Sequence, residues 1–273
     1  MRYAEFLPSP QLSTLVERFW LLEGVASGAA DVILPDGRVE LIFHYRGSFW
    51  RHGAGIDPVR QPASLLVGQM LAPVVLAPAG YAGIAAIKLR PEAARSLLRF
   101  SLREVSGRFE DLDLIFPTAA RLREQLAAAS SDGARIAALE DWLRRIHATP
   151  PGIELAGAVK TMLQSRGRTS VVELSTVTGL GVRRMERQFH DAVGLTPKAF
   201  ARIVRLQAAL RRIRDGTPLS DVALACGYYD QAHMTRDFRQ LAAMSPGAWQ
   251  RHAGELAPLF VSPSSPAEAP ACA

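Results

Sequence analysis

Cysteine is nearly missing from this chain of 273 residues, where only Cys226 and Cys272 occur. Two thiols cannot build a disulfide framework or a thiolate zinc cluster. Histidine is scarce as well, with six copies. No nucleophile–base pair and no G-x-x-x-x-G-K phosphate loop is present, so catalysis is not expected and no cofactor is called for. Apolar residues make up 48% and charged residues 21%, an ordinary globular balance that excludes wholesale disorder. Charge of either sign is absent from Gln61 to Ile87, a length that could span a bilayer. Pro62, Gly68, Pro73, Pro78, Gly80 and Gly83 chop that stretch into pieces, which read as buried strands at Leu65–Val67, Val74–Leu76 and Ile84–Leu89. No membrane association is expected. The opening MRYAEFLPSP lacks the continuous apolar segment of a signal peptide, so the expected compartment is cytoplasmic.

What is present in excess is positive charge, and it is localised. Residues 1–150 hold 17 Lys+Arg against 16 Asp+Glu, whereas residues 151–256 hold 15 against 9. The whole net charge of +6 is thus matched by the C-terminal third, which points to a polyanionic partner for that part.

The chain reads as α+β: a β-rich N-terminal domain, a helical connector and an all-α C-terminal domain. In the first domain (1–116), Leu34-Pro35-Asp36-Gly37-Arg38 is turn chemistry between strands Val32–Leu34 and Val39–Tyr45. Val39, Leu41, Phe43 and Tyr45 alternate with Glu40, Ile42 and His44, as on a half-buried strand. A helix is expected from about Pro10 to Leu22, with Leu12, Leu15, Val16 and Phe19 on one face, and another after Pro91. The connector (117–149) carries stripes at Leu122/Leu126 and Ile136/Leu139/Leu143/Ile146, broken by Ser130-Ser131-Asp132-Gly133. These stripes would pack on the sheet or form a dimer seam, the former preferred. Thr149-Pro150-Pro151-Gly152 marks a domain boundary, and the Pro-rich segment 257–273 reads as a disordered tail.

The C-terminal domain (154–253) contains an internal repeat. Leu174, Gly179, Met185, Phe189, Thr196-Pro197 and Phe200 recur as Val222, Gly227, Met234, Phe238, Ser245-Pro246 and Trp249, offset by 48 residues before the turn and 49 after it. A helix, a glycine turn and a second helix with core residues four apart is a helix-turn-helix pattern, here at about 171–192 and 219–241. Ser170-Val171-Val172-Glu173 is a capping box, and Thr196-Pro197 and Ser245-Pro246 are cap–proline starts. At 100° per residue, Met185, Phe189 and Ala192 point inward and Arg183 and Arg187 outward, flanked by Arg184, Glu186 and His190. In the second unit Met234, Phe238 and Leu241 point inward and Ala232 and Arg236 outward, flanked by Gln231, His233, Thr235 and Arg239. Arginine can bond guanine bidentately and glutamine can read adenine, so these faces suit the major groove of double-stranded DNA. Pro197 to about Arg214 reads as one helix of about 27 Å, a connector matched to successive grooves about 34 Å apart. Its Arg202, Arg205, Arg211, Arg212 and Arg214 are candidates for phosphate contact, with some of them expected to be simply solvent-facing or paired with Asp215.

The stretches ELSTVTGLGVRRMERQFHDAVGLTPKAF, IVRLQAALRRI and LSDVALACGYYDQAHMTRDFRQLAAMSPGAWQR resemble the AraC/XylS family of bacterial transcription regulators, from about Glu154 to Arg251. The resemblance implies a seven-helix domain whose two recognition helices enter adjacent major grooves. It implies Arg183, Arg184, Glu186 and Arg187 as base-reading candidates in the first unit, and Gln231, His233 and Arg236 in the second. Gly181 departs from the family's usual serine or threonine N-cap, and Leu241-Ala242-Ala243-Met244 replaces its phenylalanine–glycine segment. LPDGRVELIFHY, LLVGQM and AAIKLRPEAARSLL are similar to sensor domains found beside such modules, which bind a small effector or mediate dimerisation. Glu40, Tyr81, Lys88 and Arg90 are ligand-binding candidates on that reading and sheet-surface residues otherwise. RNA polymerase would be a partner of an activator, and a homodimer stays open.

Two rivals place an enzyme in front of the DNA-binding module. A metal-dependent one would need clustered histidines, but His44 and His52 lie eight apart, where a satisfied structural role is expected, and no metal site is assigned. A DNA-repair protein would need a reactive thiol, but Cys226 lies in the apolar run Val222–Cys226, where an inert buried one is expected.

Overall fold

The computed structural model describes residues 1–146, apart from 27, 54 and 55, and residues 153–252. The boundary at Thr149–Gly152 and the tail 257–273 lie outside the described residues.

The N-terminal half is an antiparallel sheet of β1 (Arg2–Phe6), β2 (Val16–Val25), β3 (Asp31–Ile33), β4 (Val39–Gly53), β5 (Ile56–Arg60), β6 (Ser64–Val67), β7 (Val74–Leu89) and β8 (Phe109–Asp111). Its main path runs β1-β2-β7-β4-β6-β8, with β3 on β7 and β5 on β4. Two expected strands merge into the 16-residue β7, which runs through Pro78 and Gly80. β4 runs its whole length beside β7, and the pairing shifts register on either side of Arg46. Gly47 makes that bend: its φ is +72°, and a Cβ there would lie 2.0 Å from the Tyr81 carbonyl oxygen.

The expected helix at Pro10–Leu22 is not formed. Pro10–Leu12 is a single 3-10 turn, and Val16–Val25 is strand β2. Its VERFWLLEGV run is buried on both faces, so the apolar residues show neither helical nor alternating period. The helix after Pro91 is α1 (Ala94–Leu98), beginning three residues after the proline.

One sheet face carries Phe19, Leu21, Leu41, Phe43, Ala85 and Ile87 and is covered by helices. These are α1, α3 (Ala119–Ala128) and α4 (Asp132–Arg145), with the single turn α2 (Leu112–Ile115) leading into α3. Ser131 caps α4 by accepting from the Ala134 amide at 3.2 Å. Leu122, Leu126, Leu139 and Leu143 are buried in this core, so the connector stripes are used within the chain. Trp142 locks the layer: its ring meets Phe43 and Phe116 edge-on, and its indole N–H donates to Thr118 Oγ1 at 2.9 Å.

The opposite face carries Trp20, Leu22, Ile84 and Ala86, with Glu40, Ile42 and His44 beside them on β4. β4 is therefore not half-buried. From Val39 to Tyr45 both of its faces are interior, and the one expected to meet water closes over a cavity.

The C-terminal half has seven described helices: α5 (Ile153–Gln164), α6 (Val171–Thr178), α7 (Val182–Val193), α8 (Pro197–Arg214), α9 (Leu219–Ala225), α10 (Gln231–Ala242) and α11 (Pro246–His252). Met185, Phe189, Met234, Phe238, Trp249 and one side of α8 form a single core. Leu34 joins it from the N-terminal half.

Candidate nucleic-acid interface

α7 and α10 are the second helices of the two repeats, and their starts and ends follow local chemistry. α6 opens with the Ser170/Glu173 capping box: Glu173 accepts from the Ser170 amide at 2.7 Å, and the Ser170 hydroxyl accepts from the Glu173 amide at 3.2 Å. Gly179 ends α6 in the left-handed region, and α7 starts at Val182 behind Gly181, which offers no capping side chain. In the second unit Asp230 caps α10 by accepting from the His233 amide at 2.6 Å. Sequence reasoning overlooked Asp230, although an aspartate just before an amphipathic run is a start signal.

Met185, Phe189, Met234 and Phe238 are fully buried, which fixes the rotation of both helices. Arg183, Arg184, Glu186 and Arg187 are then exposed on α7, and Gln231 and Arg236 on α10. His233 is only half-buried and partly engaged. Its Nδ1 accepts from the Tyr229 amide at 3.4 Å, and its ring stands edge-on to Tyr228 at 5.3 Å. Tyr229, which the sequence reading passed over, is 88% exposed at the turn feeding α10, beside these polar groups.

The expected phosphate contacts on α8 need correction at two positions. Arg202 Nε donates to Asp237 Oδ1 at 3.0 Å, and Arg205 lies 3.8 Å from Asp237 Oδ2. Arg205 also donates to the Gly167 carbonyl at 2.9 Å and sits over the Tyr228 ring. Asp237 is buried, so these arginines bind α10 to α8 instead of facing a partner. Arg214 is exposed beside Asp215. Cys226 is fully buried, and burial pushes its thiol above the ordinary range, as an inert position requires.

The ligand candidates of the N-terminal half separate into two groups. Glu40 and Lys88 are cross-strand neighbours on β4 and β7, buried and paired at 3.0 Å. Lys88 also donates to Asp36 at 2.7 Å, and Arg38 pairs with Glu17. Burial works against the Lys88 ammonium, yet Asp36 and Glu40 outweigh it and hold its pKa above the usual lysine range. Tyr81 is exposed and Arg90 donates to the Ser13 carbonyl at 2.6 Å, and neither lines the cavity. His44 does line it, beside Gln61, whose side chain is the polar neighbour of the imidazole in this buried setting. Burial pulls its pKa down to about 4 and keeps the imidazole neutral. Among the described residues, no group of three or more His, Cys, Asp or Glu is arranged to hold a metal ion. No described helix is long and apolar enough to cross a membrane.

Residues 174–252 match a family model described as a helix-turn-helix domain. The chain carries a helix-turn-helix domain of the AraC type. Residues 4–111, in front of this AraC-type domain, match a domain of unknown function (DUF6597). The probable transcriptional regulator LumQ of Photobacterium leiognathi is 36% identical over 84 residues, 30% of this chain and 34% of that one. The HTH-type transcriptional regulator MtrA of Neisseria gonorrhoeae is 32% identical over 73 residues, 26% of this chain and 24% of that one. The chain thus covers about a third of the first relative's length and about a quarter of the second's. A crystal structure of an apo ToxT lysine-to-alanine variant from Vibrio cholerae superposes with a TM-score of 0.50 at 9% identity, covering 86% of this chain and 98% of that one. The AraC-type domain and the sheet in front of it therefore share a fold with that protein.

Proposed function

We propose that the protein is a sequence-specific DNA-binding regulator of bacterial transcription, acting in the cytoplasm, with α7 and α10 entering adjacent major grooves. One observation carries this reading. Arg187 and Arg236, 49 residues apart, stand exposed at equivalent positions of two repeated helices whose opposite faces are wholly buried. Arg183, Arg184, Glu186, Gln231 and His233 flank them as further base-reading candidates. The excess of basic residues in this third of the chain supplies the sequence-independent attraction to phosphate. The N-terminal domain modulates this activity in response to a small molecule, and the reading includes no catalytic step. RNA polymerase is a partner if the site activates. A homodimer would use surfaces other than the Leu122/Leu126 and Leu139/Leu143 stripes.

Selection of binding sites from a random duplex pool tests the proposal. Two short boxes about one helical turn apart, roughly 10–10.5 bp, are expected. A single box would mean that only one unit reads bases. No enrichment at any salt concentration would overturn the reading.

A further inference from the structure

The cavity above the β4 face and the helix that spaces the two recognition helices share one element, the turn 34–38. On one side Leu34, Asp36 and Arg38 line the cavity. On the other side the same turn lies against α8. The Gln207 side-chain amide donates to the Pro35 carbonyl at 2.8 Å, and both groups are buried. Gly37, at φ +77°, lies so flat on Phe200 that a Cβ would come within 3.0 Å of its ring. Gln69 holds the turn from the sheet side, donating to the Gly37 carbonyl at 3.1 Å.

The cavity measures about 60 Å³, room for about five water-sized groups and less than half of the roughly 150 Å³ that admits benzene. Trp20, Leu22, Ile42, Phe49 and Leu76 give it an apolar wall, with His44 and Gln61 at its polar end. The cations beside it are already paired: Lys88 with Asp36 and Glu40, Arg38 with Glu17, and Arg123 with Asp113. Arg18 completes the network by pairing with Glu5 and Glu17. Carboxylates therefore outnumber cations at the charged end, and burial pushes the Glu40 carboxyl up toward its neutral form. An anionic ligand would lose its hydration and find no uncompensated cation. The neutral group at this end is the His44 imidazole: with one donor and one acceptor it can meet Gln61 with one nitrogen and a ligand with the other.

We propose that this cavity binds a slender, uncharged molecule with an apolar chain and one hydrogen-bonding group directed at His44, and that turn 34–38 transmits its occupancy to α8. The proposal rests on the reading of the N-terminal domain as a sensor and assigns the class of its ligand. A chain that fills the cavity presses on Leu34 and Asp36. The turn cannot shift without moving the Pro35 carbonyl and the Gly37 backbone, which are seated on Gln207 and Phe200.

The test uses the full chain and three probes of matched size: 1-butanol, butyrate and butylamine. Ligand-observed NMR is expected to give 1-butanol a dissociation constant at least tenfold below those of the two ions. His44→Leu is expected to raise the 1-butanol constant at least tenfold. Amide hydrogen exchange in residues 197–214 is expected to change at least threefold on 1-butanol binding. In Gln207→Leu, or in Gln207→Met with side-chain length kept, the binding constant stays unchanged while the exchange response disappears. Butyrate or butylamine binding as tightly as 1-butanol overturns the ligand class, as does an unaltered constant in His44→Leu. Binding with no change in α8 exchange overturns the route. None of these readouts involves DNA, so an empty site selection would count against the proposed function and leave this inference standing.

Discussion

The two helix-turn-helix units share a core and differ at their ends. Met185 and Phe189 match Met234 and Phe238, yet the caps are exchanged. At the start of the recognition helix the first unit has Gly181 with no capping side chain, and the second has Asp230 with a 2.6 Å cap. At the end the first has Gly194 at φ +85°, where glycine is at ease, and the second has Ala243 at φ +54°. The external contacts differ too. α7 is latched to the N-terminal domain: Ser106 Oγ donates to the Gly194 carbonyl at 2.5 Å, and Ser101 Oγ donates to Asp191 at 3.1 Å. α10 is held from within its own domain, by Asp237 on Arg202 and Arg205. The first unit is thus adjustable from outside, and the second is fixed to the connector helix.

The largest effect is expected from removing both outward arginines. Arg187→Ala and Arg236→Ala should each cost about 1–3 kcal/mol of binding on the selected duplex and relax base choice in one box each, adding in the double variant. Titrations on duplexes with either box scrambled would check this, and equal weakening on all sequences would mark both as phosphate contacts. Asp237→Ala should cost about 2–3 kcal/mol of stability in urea unfolding, because Arg202 and Arg205 lose their charged acceptor, and should degrade the second box. Gly194→Ala should cost about 2 kcal/mol, since the new Cβ is both in a left-handed conformation and 2.7 Å from Ser106 Oγ. Its equivalent change runs the other way: Ala243→Gly should raise stability by about 1 kcal/mol, read as a higher urea midpoint. Smallest is Gly181→Ser, a gain of a few tenths of a kcal/mol in the same measurement, against a loss of about 1 kcal/mol for Asp230→Ala.

Features with short-range causes were legible in the sequence. The Ser170 box, the Thr196 and Ser245 starts and the four-residue spacing of each helix core depend on neighbours a few residues apart, and α8, both recognition faces and their repetition at an offset of 48 or 49 follow from them. Features set by distant partners were not. β2 lost its alternation because β7 and the layers above and below bury it on both faces. Arg202 and Arg205 look like free cations until Asp237, 35 and 32 residues on, folds against them. His44 looked like an ordinary strand residue, because the apolar wall around it comes from strands scattered along the domain.

The parity of β4 has a consequence for how this fold can change over time. Odd-numbered residues from Val39 to Phe43 belong to the aliphatic layer under α3 and α4, while Glu40, Ile42 and His44 belong to the cavity. Adding one residue within that stretch would turn the strand over, driving a carboxylate and an imidazole into the aliphatic layer and Leu41 and Phe43 into the cavity. The stretch can therefore exchange side chains of like size and polarity on either face more readily than it can change its length.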